Sequence, residues 1–284
     1  MTVFRHSRKD AWFVGLCLLT LGLQVSGCLL WNSGHPGAAV ALALFVSFLI
    51  CTNYQCISHN FIHNPFFDAA WANRLFSLVN SIALGFSQTI YKHHHLNHHQ
   101  YNNDAKDPAT GSTQDYTSIY RHARADGRAE GLFTYSFVGV WRSHLSIYYS
   151  MAVKRREHGR VWLEVAALVS FFLALGYLAP VYTAFVLLPA WYLGQALALA
   201  ENYMEHYGAN PYDTRANSVS CYDWFYNFVW FNNGYHQEHH YRPSIHWTLI
   251  PRHRLEAGTR RIVRYWHVSA LFHRPLPWRK PDSD

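Results

Sequence analysis

The stretch Val181–Ala200, VYTAFVLLPAWYLGQALALA, runs without a charged side chain and leads directly into Glu201-Asn202-Tyr-Met-Glu-His206. A helix rises ~1.5 Å per residue, so about 20 apolar residues cross the hydrocarbon core of a bilayer. Backbone groups in lipid must be hydrogen-bonded internally, and a helix achieves this within one segment. The stretch therefore predicts a membrane-spanning helix with polar side chains at its exit.

Three further apolar runs have the same character. They are Trp12–Trp31, Ala38–Ile57 and Val161–Tyr177. Short breaks at Asn32–Gly37 and at Pro180 separate the members of each pair. The pattern predicts an all-α polytopic membrane protein with four transmembrane helices in two hairpins.

The distribution of charge predicts the orientation of these helices. Charged residues make up only 14% of the chain, against about 25% in an average soluble domain. Of the 24 Lys and Arg residues, 3 precede the first run, 11 lie between the second and third, and 10 follow the fourth. The positive-inside rule then places the N-terminus, the middle segment and the C-terminus in the cytoplasm. The net charge of +7 is thereby assigned to contacts with anionic headgroups, and no nucleic-acid partner is expected.

The segment Leu75–Tyr91 is also apolar, but it contains Asn80, Gln88 and several serines. We interpret it as a helix that lies in the membrane interface or under a cytoplasmic cap. If it crossed the membrane, the histidines that follow it would lie on the side opposite to those that precede it.

Histidine is strongly enriched, at 20 of 284 residues, and nine of these histidines fall in four short clusters. The clusters have the spacings HxxxH, HxxHH, NxxxH and HxxHH, and residues at i and i+4 share one face of a helix. All four are expected on the cytoplasmic side, two at helix exits and two in the loops facing them. Their members are His59 and His63; His95, His98 and His99; Asn202 and His206; and His236, His239 and His240.

Metal binding is the best explanation of these clusters. Nine imidazoles that charge near pH 6.5 would repel one another, whereas neutral imidazole is a metal ligand. Imidazole suits Fe, Cu, Zn and Ni alike, so the residues alone do not choose the metal. Nine histidines exceed what one ion accepts, and the sequence therefore predicts a dimetal site.

Several neighbouring side chains are candidates for orienting the imidazoles through hydrogen bonds. They are Glu201, Glu205, Glu238, Asp104 and Asp107. His93 and His94 extend the second cluster but fit no spacing, and we expect them to contact solvent or the ligands rather than the metal.

The four spacings together resemble those of the membrane fatty acid desaturase superfamily, which includes acyl desaturases and related lipid hydroxylases. The surrounding residues strengthen the resemblance, in His95-Leu-Asn-His98-His99-Gln-Tyr-Asn-Asn-Asp104 and in Asn233-Gly-Tyr-His236-Gln-Glu-His239-His240-Tyr-Arg-Pro243. The resemblance covers about residues 38–255 of a single domain spanning 1–284. The first cluster has three intervening residues where some acyl-CoA desaturases have four.

The resemblance implies four spanning helices and a helical cytoplasmic cap that encloses two iron ions (Fe2+/Fe3+), with O2 as co-substrate. The expected ligands are the nine clustered histidines, with Asn202 as a water-mediated tenth. No residue apart from the metal ligands is expected to be catalytic. The implied reaction is desaturation of a fatty acyl or other lipid chain.

The resemblance also implies a source of electrons. The sequence contains no cytochrome b5 domain, no GxGxxG motif and no cysteine-rich iron–sulfur stretch. We therefore expect a separate donor of the ferredoxin, rubredoxin or cytochrome b5 type with its reductase, docking on basic residues such as Arg260, Arg261 and Arg264. A bacterial inner membrane is the favoured location.

Other functions remain open at this level. The same metal site performs lipid hydroxylation, ketone formation or oxidative decarboxylation, depending on where the substrate carbon lies. A divalent-metal transporter would place polar ligands at mid-membrane, and a storage or scaffold protein would bind metal without consuming O2.

Overall fold

The computed structural model describes residues 3–123 and 127–260 of the 284-residue chain. Within these ranges the secondary structure is helical, and one isolated β-bridge joins Phe4 and Phe67. The main helices are α1 (Ala11–Asn32), α2 (Pro36–His63), α3 (Ala70–Leu84), α4 (Gln88–Tyr101), α5 (Leu145–Lys154), α6 (His158–Leu178), α7 (Pro180–His206), α8 (Trp224–Val229) and α9 (His236–Tyr241). The prediction of an all-α fold is confirmed.

Four of these helices, α1, α2, α6 and α7, are long and apolar enough to cross a membrane. They contain the four predicted runs and extend each of them by a few residues. Along α6, large side chains such as Trp162, Leu173 and Tyr177 are more than half exposed. Such a surface is stable when hydrocarbon replaces water as the solvent. The prediction of four apolar membrane helices is confirmed, whereas their pairing as hairpins stays a prediction.

The chain divides into two compact units. The first comprises Met1–His93 and Ser143–Ala198, and it contains α1, α2, α6 and most of α7. The second comprises His94–Arg142 and Leu199–Asp284, and it contains most of the clustered histidines. A single domain over 1–284 and the cytoplasmic position of the histidine-rich part stay predictions.

A π-helical turn, Asn53–Ser58, interrupts α2 just before the first histidine cluster. Its side chains join a buried polar network with Asn80 and Gln88. Asn53 donates to Asn80 at 2.9 Å, Ser58 donates to Asn53 at 2.8 Å, and Asn80 donates to Gln88 at 2.8 Å. Wider turns of this kind occur most often at functional sites, and here the turn precedes His59.

The apolar segment Leu75–Tyr91 is helical, as predicted, but it is broken into two helices at Gly85. Gly85 has a φ of 72°, and a Cβ atom there would lie 1.4 Å from Nε1 of Trp191. Only glycine adopts this conformation in this space without strain. The resulting α3 has 15 residues, which is short of the roughly 20 that a span needs.

The two HxxHH clusters lie on helices, which corrects the expectation that they occupy loops. His95, His98 and His99 lie on α4, and His236, His239 and His240 lie on α9. The helical form is favoured because residues at i, i+3 and i+4 then project to one side. Asn102 and Asn103, with φ of 47° and 52°, follow the end of α4. Asparagine tolerates this left-handed conformation better than most residues do.

Candidate metal centre

The second unit brings four buried histidines together, and we call them the four-histidine cluster. One ring nitrogen of each lies within 4.8 Å of a ring nitrogen of every other. Nε2 of His206 lies 3.0 Å from Nε2 of His98 and 3.3 Å from Nε2 of His236. The members are His98, His206, His236 and His240.

In two rings of this cluster, hydrogen bonds to residues outside the cluster determine which ring nitrogen carries the proton. Nδ1 of His206 lies 2.9 Å from the carbonyl oxygen of Asn217, which only accepts, so this nitrogen carries the proton. Nδ1 of His98 lies 2.9 Å from the carboxylate of Asp115. That carboxylate also accepts backbone N–H groups from Asn103 and Thr117, so it is an acceptor toward His98 as well. In the neutral form of each ring, Nε2 therefore carries the lone pair.

Two lone pairs that face each other at 3.0 Å repel unless a cation lies between them. Metal–nitrogen bonds of ~2.1 Å allow two ligand nitrogens of one ion to lie roughly 3 Å apart, as the Nε2 atoms of His98 and His206 do. Both ring nitrogens of the buried His240 also lack a hydrogen-bond partner among the residues that the structure describes. The donor set therefore fits a metal ion and fits poorly to any hydrogen-bonded network of neutral imidazoles.

The electrostatics of the cluster favour neutral ligands. Burial, followed by the neighbouring imidazoles of His99 and His236, holds the pKa of His240 well below its ordinary value. Burial would raise the pKa of Asp115, but the charge and hydrogen bond of His98, with hydrogen bonds from Thr117, outweigh it and lower this pKa to about 2. At neutral pH the cluster therefore has a buried carboxylate at its edge and, at His240, the uncharged imidazole that ligation requires.

A second group of histidines lies beside the first in the same unit. His95, His99 and His239 each offer a ring nitrogen within 4.8 Å of the others. Nε2 of His99 and Nε2 of His239 are 3.1 Å apart, and the rings of His95 and His99 have centroids 4.5 Å apart. The nitrogen spacing again matches adjacent ligands of one ion.

The remaining predicted histidines, His59 and His63, lie on the last turn of α2 in the first unit. Their ring centroids are 5.7 Å apart, as expected for positions i and i+4. Both side chains therefore lie on one face of the helix, as the sequence predicts.

Asn202 lies on α7 one turn before His206. Its side-chain amide nitrogen donates to the hydroxyl of Tyr135 at 2.6 Å. The contact identifies which end of the amide faces Tyr135 and leaves the side-chain oxygen directed elsewhere.

One of the predicted orienting carboxylates, Glu205, approaches a histidine of the four-histidine cluster. It lies 3.5 Å from Nδ1 of His236 and accepts from Asn233 at 2.6 Å. Glu238 instead accepts from Ser220 at 2.7 Å and from Tyr222. Glu201 accepts from Tyr226 at 3.4 Å.

The other predicted neighbours bond within the loop after α4 or pair with Glu157, the residue before α6. Asp104 accepts the backbone N–H groups of Gln114 and Asp115, and the exposed Asp107 caps a turn. His93 pairs with Glu157 at 2.8 Å rather than with another histidine.

Asp115 is a functional candidate that the sequence prediction missed. It is fully buried and bonds His98, yet it follows the second cluster by 16 residues in a loop without regular spacing. No periodic pattern distinguishes it from the exposed acidic residues nearby. Only the folded loop brings it to the imidazole.

The helices and the histidines together define a polytopic membrane metalloprotein with a histidine-built metal centre. A family model described as Fatty acid desaturase matches residues 33–269. The chain therefore belongs to the fatty acid desaturase family, whose members are membrane-bound di-iron oxidoreductases. Comparisons with curated proteins and with solved structures found no match.

Membership establishes the broad activity. The protein is a membrane oxidoreductase of lipid metabolism, of the desaturase or hydroxylase type, with a lipid substrate and with histidine clusters that could bind metal. The family match confirms the resemblance that the histidine spacings indicate.

Proposed function

We propose that this protein is an O2-dependent di-iron desaturase that inserts a double bond into a fatty acyl or other lipid chain. The observation that carries the proposal is the 3.0 Å distance between Nε2 of His98 and Nε2 of His206, with the Nδ1 atom of each ring already bonded to an acceptor outside the cluster. Bound iron supplies O2 activation for removing hydrogen from chain methylenes. Desaturation converts –CH2–CH2– and O2, with two electrons and two protons from a donor, into –CH=CH– and two water molecules.

The ligands are proposed as two sets. The four-histidine cluster holds one ion. The second ion is proposed to bind His95, His99 and His239 with His59 and His63, and Asn202 acts through a water molecule. The neutral state of buried His240 and the short nitrogen spacings support this assignment.

We propose that electrons come from a separate ferredoxin, rubredoxin or cytochrome b5 type of protein with its reductase. The basic residues outside the apolar helices support an acidic partner. Of the suggested docking residues, Arg261 and Arg264 lie outside the described residues. The same charge pattern supports cytoplasmic termini, and a bacterial inner membrane is the proposed location.

A transport function is less well supported than catalysis. The buried carboxylate on α6, Glu164, lies in a candidate span as a transporter ligand would. However, it already accepts four hydrogen bonds, from Ser77, Ser87 and Thr89. This saturation leaves it poorly suited to bind a passing ion.

Lipid profiling tests the proposed reaction. Cells that express the wild-type chain are compared by mass spectrometry with cells that express His98→Ala, in the presence of O2. We expect lipids 2 Da lighter than their precursors in the wild type and none in the variant. Products 16 Da heavier, or products that have lost CO2, would assign hydroxylation or decarboxylation instead. An unchanged profile across saturated substrates would contradict the proposed activity.

A further inference from the structure

We propose that Asp115, Thr117 and Tyr135 form a hydrogen-bonded arm that presents His98 and Asn202 in their metal-binding orientations. We call this set the Asp115 arm. The proposal rests on the metal centre proposed above and identifies residues that support it without touching the ion. All members of the arm and both side chains that it holds lie in the second unit.

The first contact of the arm fixes the ring of His98. The carboxylate of Asp115 is fully buried, and it accepts from the backbone N–H of Asn103 at 2.6 Å and from that of Thr117 at 2.8 Å. It also accepts the hydroxyl of Thr117 at 2.7 Å. A carboxylate surrounded by donors in this way only accepts, so the proton between it and His98 belongs to Nδ1. Nε2 then faces the cluster as a ligand.

Thr117 makes the arm continuous. Its hydroxyl hydrogen goes to Asp115, so its oxygen is left as an acceptor for Nδ1 of His98, 3.0 Å away. Two acceptors thus hold one ring N–H, which restricts rotation of the imidazole. The carbonyl oxygen of the same residue accepts from the hydroxyl of Tyr135 at 2.5 Å.

The last contact of the arm determines the orientation of an amide. Because Tyr135 donates its only hydroxyl hydrogen to a carbonyl, it can only accept from Asn202, and the atom at 2.6 Å is the amide nitrogen. The hydrogen-bond network thereby fixes which end of the amide faces Tyr135. The amide oxygen remains as an acceptor, and a water-mediated ligand requires such an acceptor.

The burial of the arm supports a role beyond loop stability. Burying a carboxylate costs desolvation free energy unless it is fully hydrogen-bonded. Apolar side chains would stabilise the loop without that cost. Carboxylates that bond metal-binding histidines fix the tautomer and increase the basicity of the ligand. Asp115 has the burial, the distance and the saturated acceptor set of such a residue.

The test measures Fe2+ binding to the purified full-length apoprotein by competition with a chromogenic chelator. We expect Asp115→Asn to weaken Fe2+ binding by roughly 10- to 100-fold, because the substituted amide must turn a donor toward a group that now donates to it. The matched control is Asp213→Asn, since Asp213 is exposed and accepts the backbone N–H of Arg215. Wild-type affinity in Asp115→Asn would overturn the proposal.

Two milder variants decide the question if Asp115→Asn does not fold. Thr117→Val keeps the carboxylate and should weaken Fe2+ binding several-fold. Tyr135→Phe releases the amide of Asn202 and should alter the Mössbauer spectrum of the 57Fe-loaded protein, with Tyr120→Phe, in the loop that carries Thr117, as the control. Wild-type affinity in Thr117→Val together with a wild-type spectrum in Tyr135→Phe would also overturn it.

These outcomes separate the arm from the proposed function. If the wild-type protein binds no Fe2+, the proposed metal centre itself is wrong. If the wild-type protein binds Fe2+ and the arm variants match it, only the role of the arm is wrong.

Discussion

The ring nitrogens that point away from the four-histidine cluster decide what the cluster can bind. Asp115 and the carbonyl of Asn217 each accept a hydrogen bond from one Nδ1–H, and this turns the two Nε2 atoms toward one another. The sequence identified the histidines through their spacing, but spacing carries no information about tautomers. That information comes from a loop carboxylate and a backbone carbonyl, which only the fold brings into contact with the rings.

His240 should make the stability of the apoprotein depend on pH. Its folded-state pKa lies well below the unfolded value near 6.5, so the unfolded chain binds a proton that the folded chain does not. Stability from this group is therefore fully present above pH 6.5 and declines as pH falls from 6.5 toward the folded pKa, by at most about 1.4 kcal/mol per pH unit. Thermal unfolding of the metal-free protein at pH 7, 6 and 5 measures the decline.

A substitution separates His240 from other titrating groups. His240→Leu should unfold at a temperature that changes less between pH 7 and pH 5 than that of the wild type. The exposed His158→Leu should keep the wild-type dependence. Equal pH dependence in His240→Leu and in the wild type would show that His240 is not held neutral by the fold.

At the scale of elements, Glu164 connects α6 to the start of α4. Its carboxylate accepts from Ser77 at 2.7 Å, Ser87 at 2.6 Å, and both the backbone N–H and the hydroxyl of Thr89 at 2.9 Å. A negative charge at the N-terminus of a helix is favourable because unpaired N–H groups point toward it. Glu164 thus acts as an N-cap that another helix supplies.

We expect Glu164→Ala to lower the free energy of unfolding by on the order of 3 kcal/mol, because it leaves buried donors without an acceptor. Thermal unfolding followed by size-exclusion chromatography measures the change. Glu164→Gln should lose less, since it keeps one carbonyl oxygen. The exposed Arg160→Gln on the same helix serves as the control. A wild-type melting temperature in Glu164→Ala would contradict this role.

A second prediction at this scale concerns the break between α3 and α4. Gly85→Ala should destabilise the protein by roughly 1–2 kcal/mol from backbone strain alone, with more from contact with Trp191. Gly15→Ala on α1, where no neighbouring atom lies within 4 Å, should be neutral or stabilising. Equal melting temperatures for the two variants would mean that the break at Gly85 is not required.

The sequence predicted the long elements well because their signal is continuous. A run of about 20 uncharged, mainly apolar residues predicts a spanning helix such as α7, and this prediction does not depend on tertiary contacts. The break at Gly85 was harder to predict, since an isolated glycine in an apolar segment is compatible with an unbroken helix. Asp115 could not be predicted at all, because its role arises from a contact between a loop and α4 and not from a local pattern.

At the scale of the whole molecule, the distribution of Lys and Arg predicts which loops face the cytoplasm. All five cysteines are buried in the described structure, so a single introduced cysteine at an exposed position reports on its own side of the membrane. We expect Lys9→Cys, Lys154→Cys and Asp213→Cys to react only with reagents that reach the cytoplasm. Ser33→Cys, between α1 and α2, should react from the opposite side.

Labelling of inside-out and right-side-out vesicles checks this arrangement. Reaction of Lys154→Cys and Asp213→Cys from opposite faces would contradict the predicted topology, in which the middle segment and the segment after α7 both face the cytoplasm. Each variant with an introduced cysteine is also assayed for lipid oxidation, and retained activity shows that the variant is correctly inserted.

The iron content of the purified wild-type protein tests the proposed metal centre most directly. Elemental analysis of protein from iron-replete cells should find about two iron ions per chain. His206→Ala should retain fewer, and the exposed His158→Ala should match the wild type. Wild-type protein that is folded but contains no stoichiometric metal would contradict the assignment of the clustered histidines as ligands.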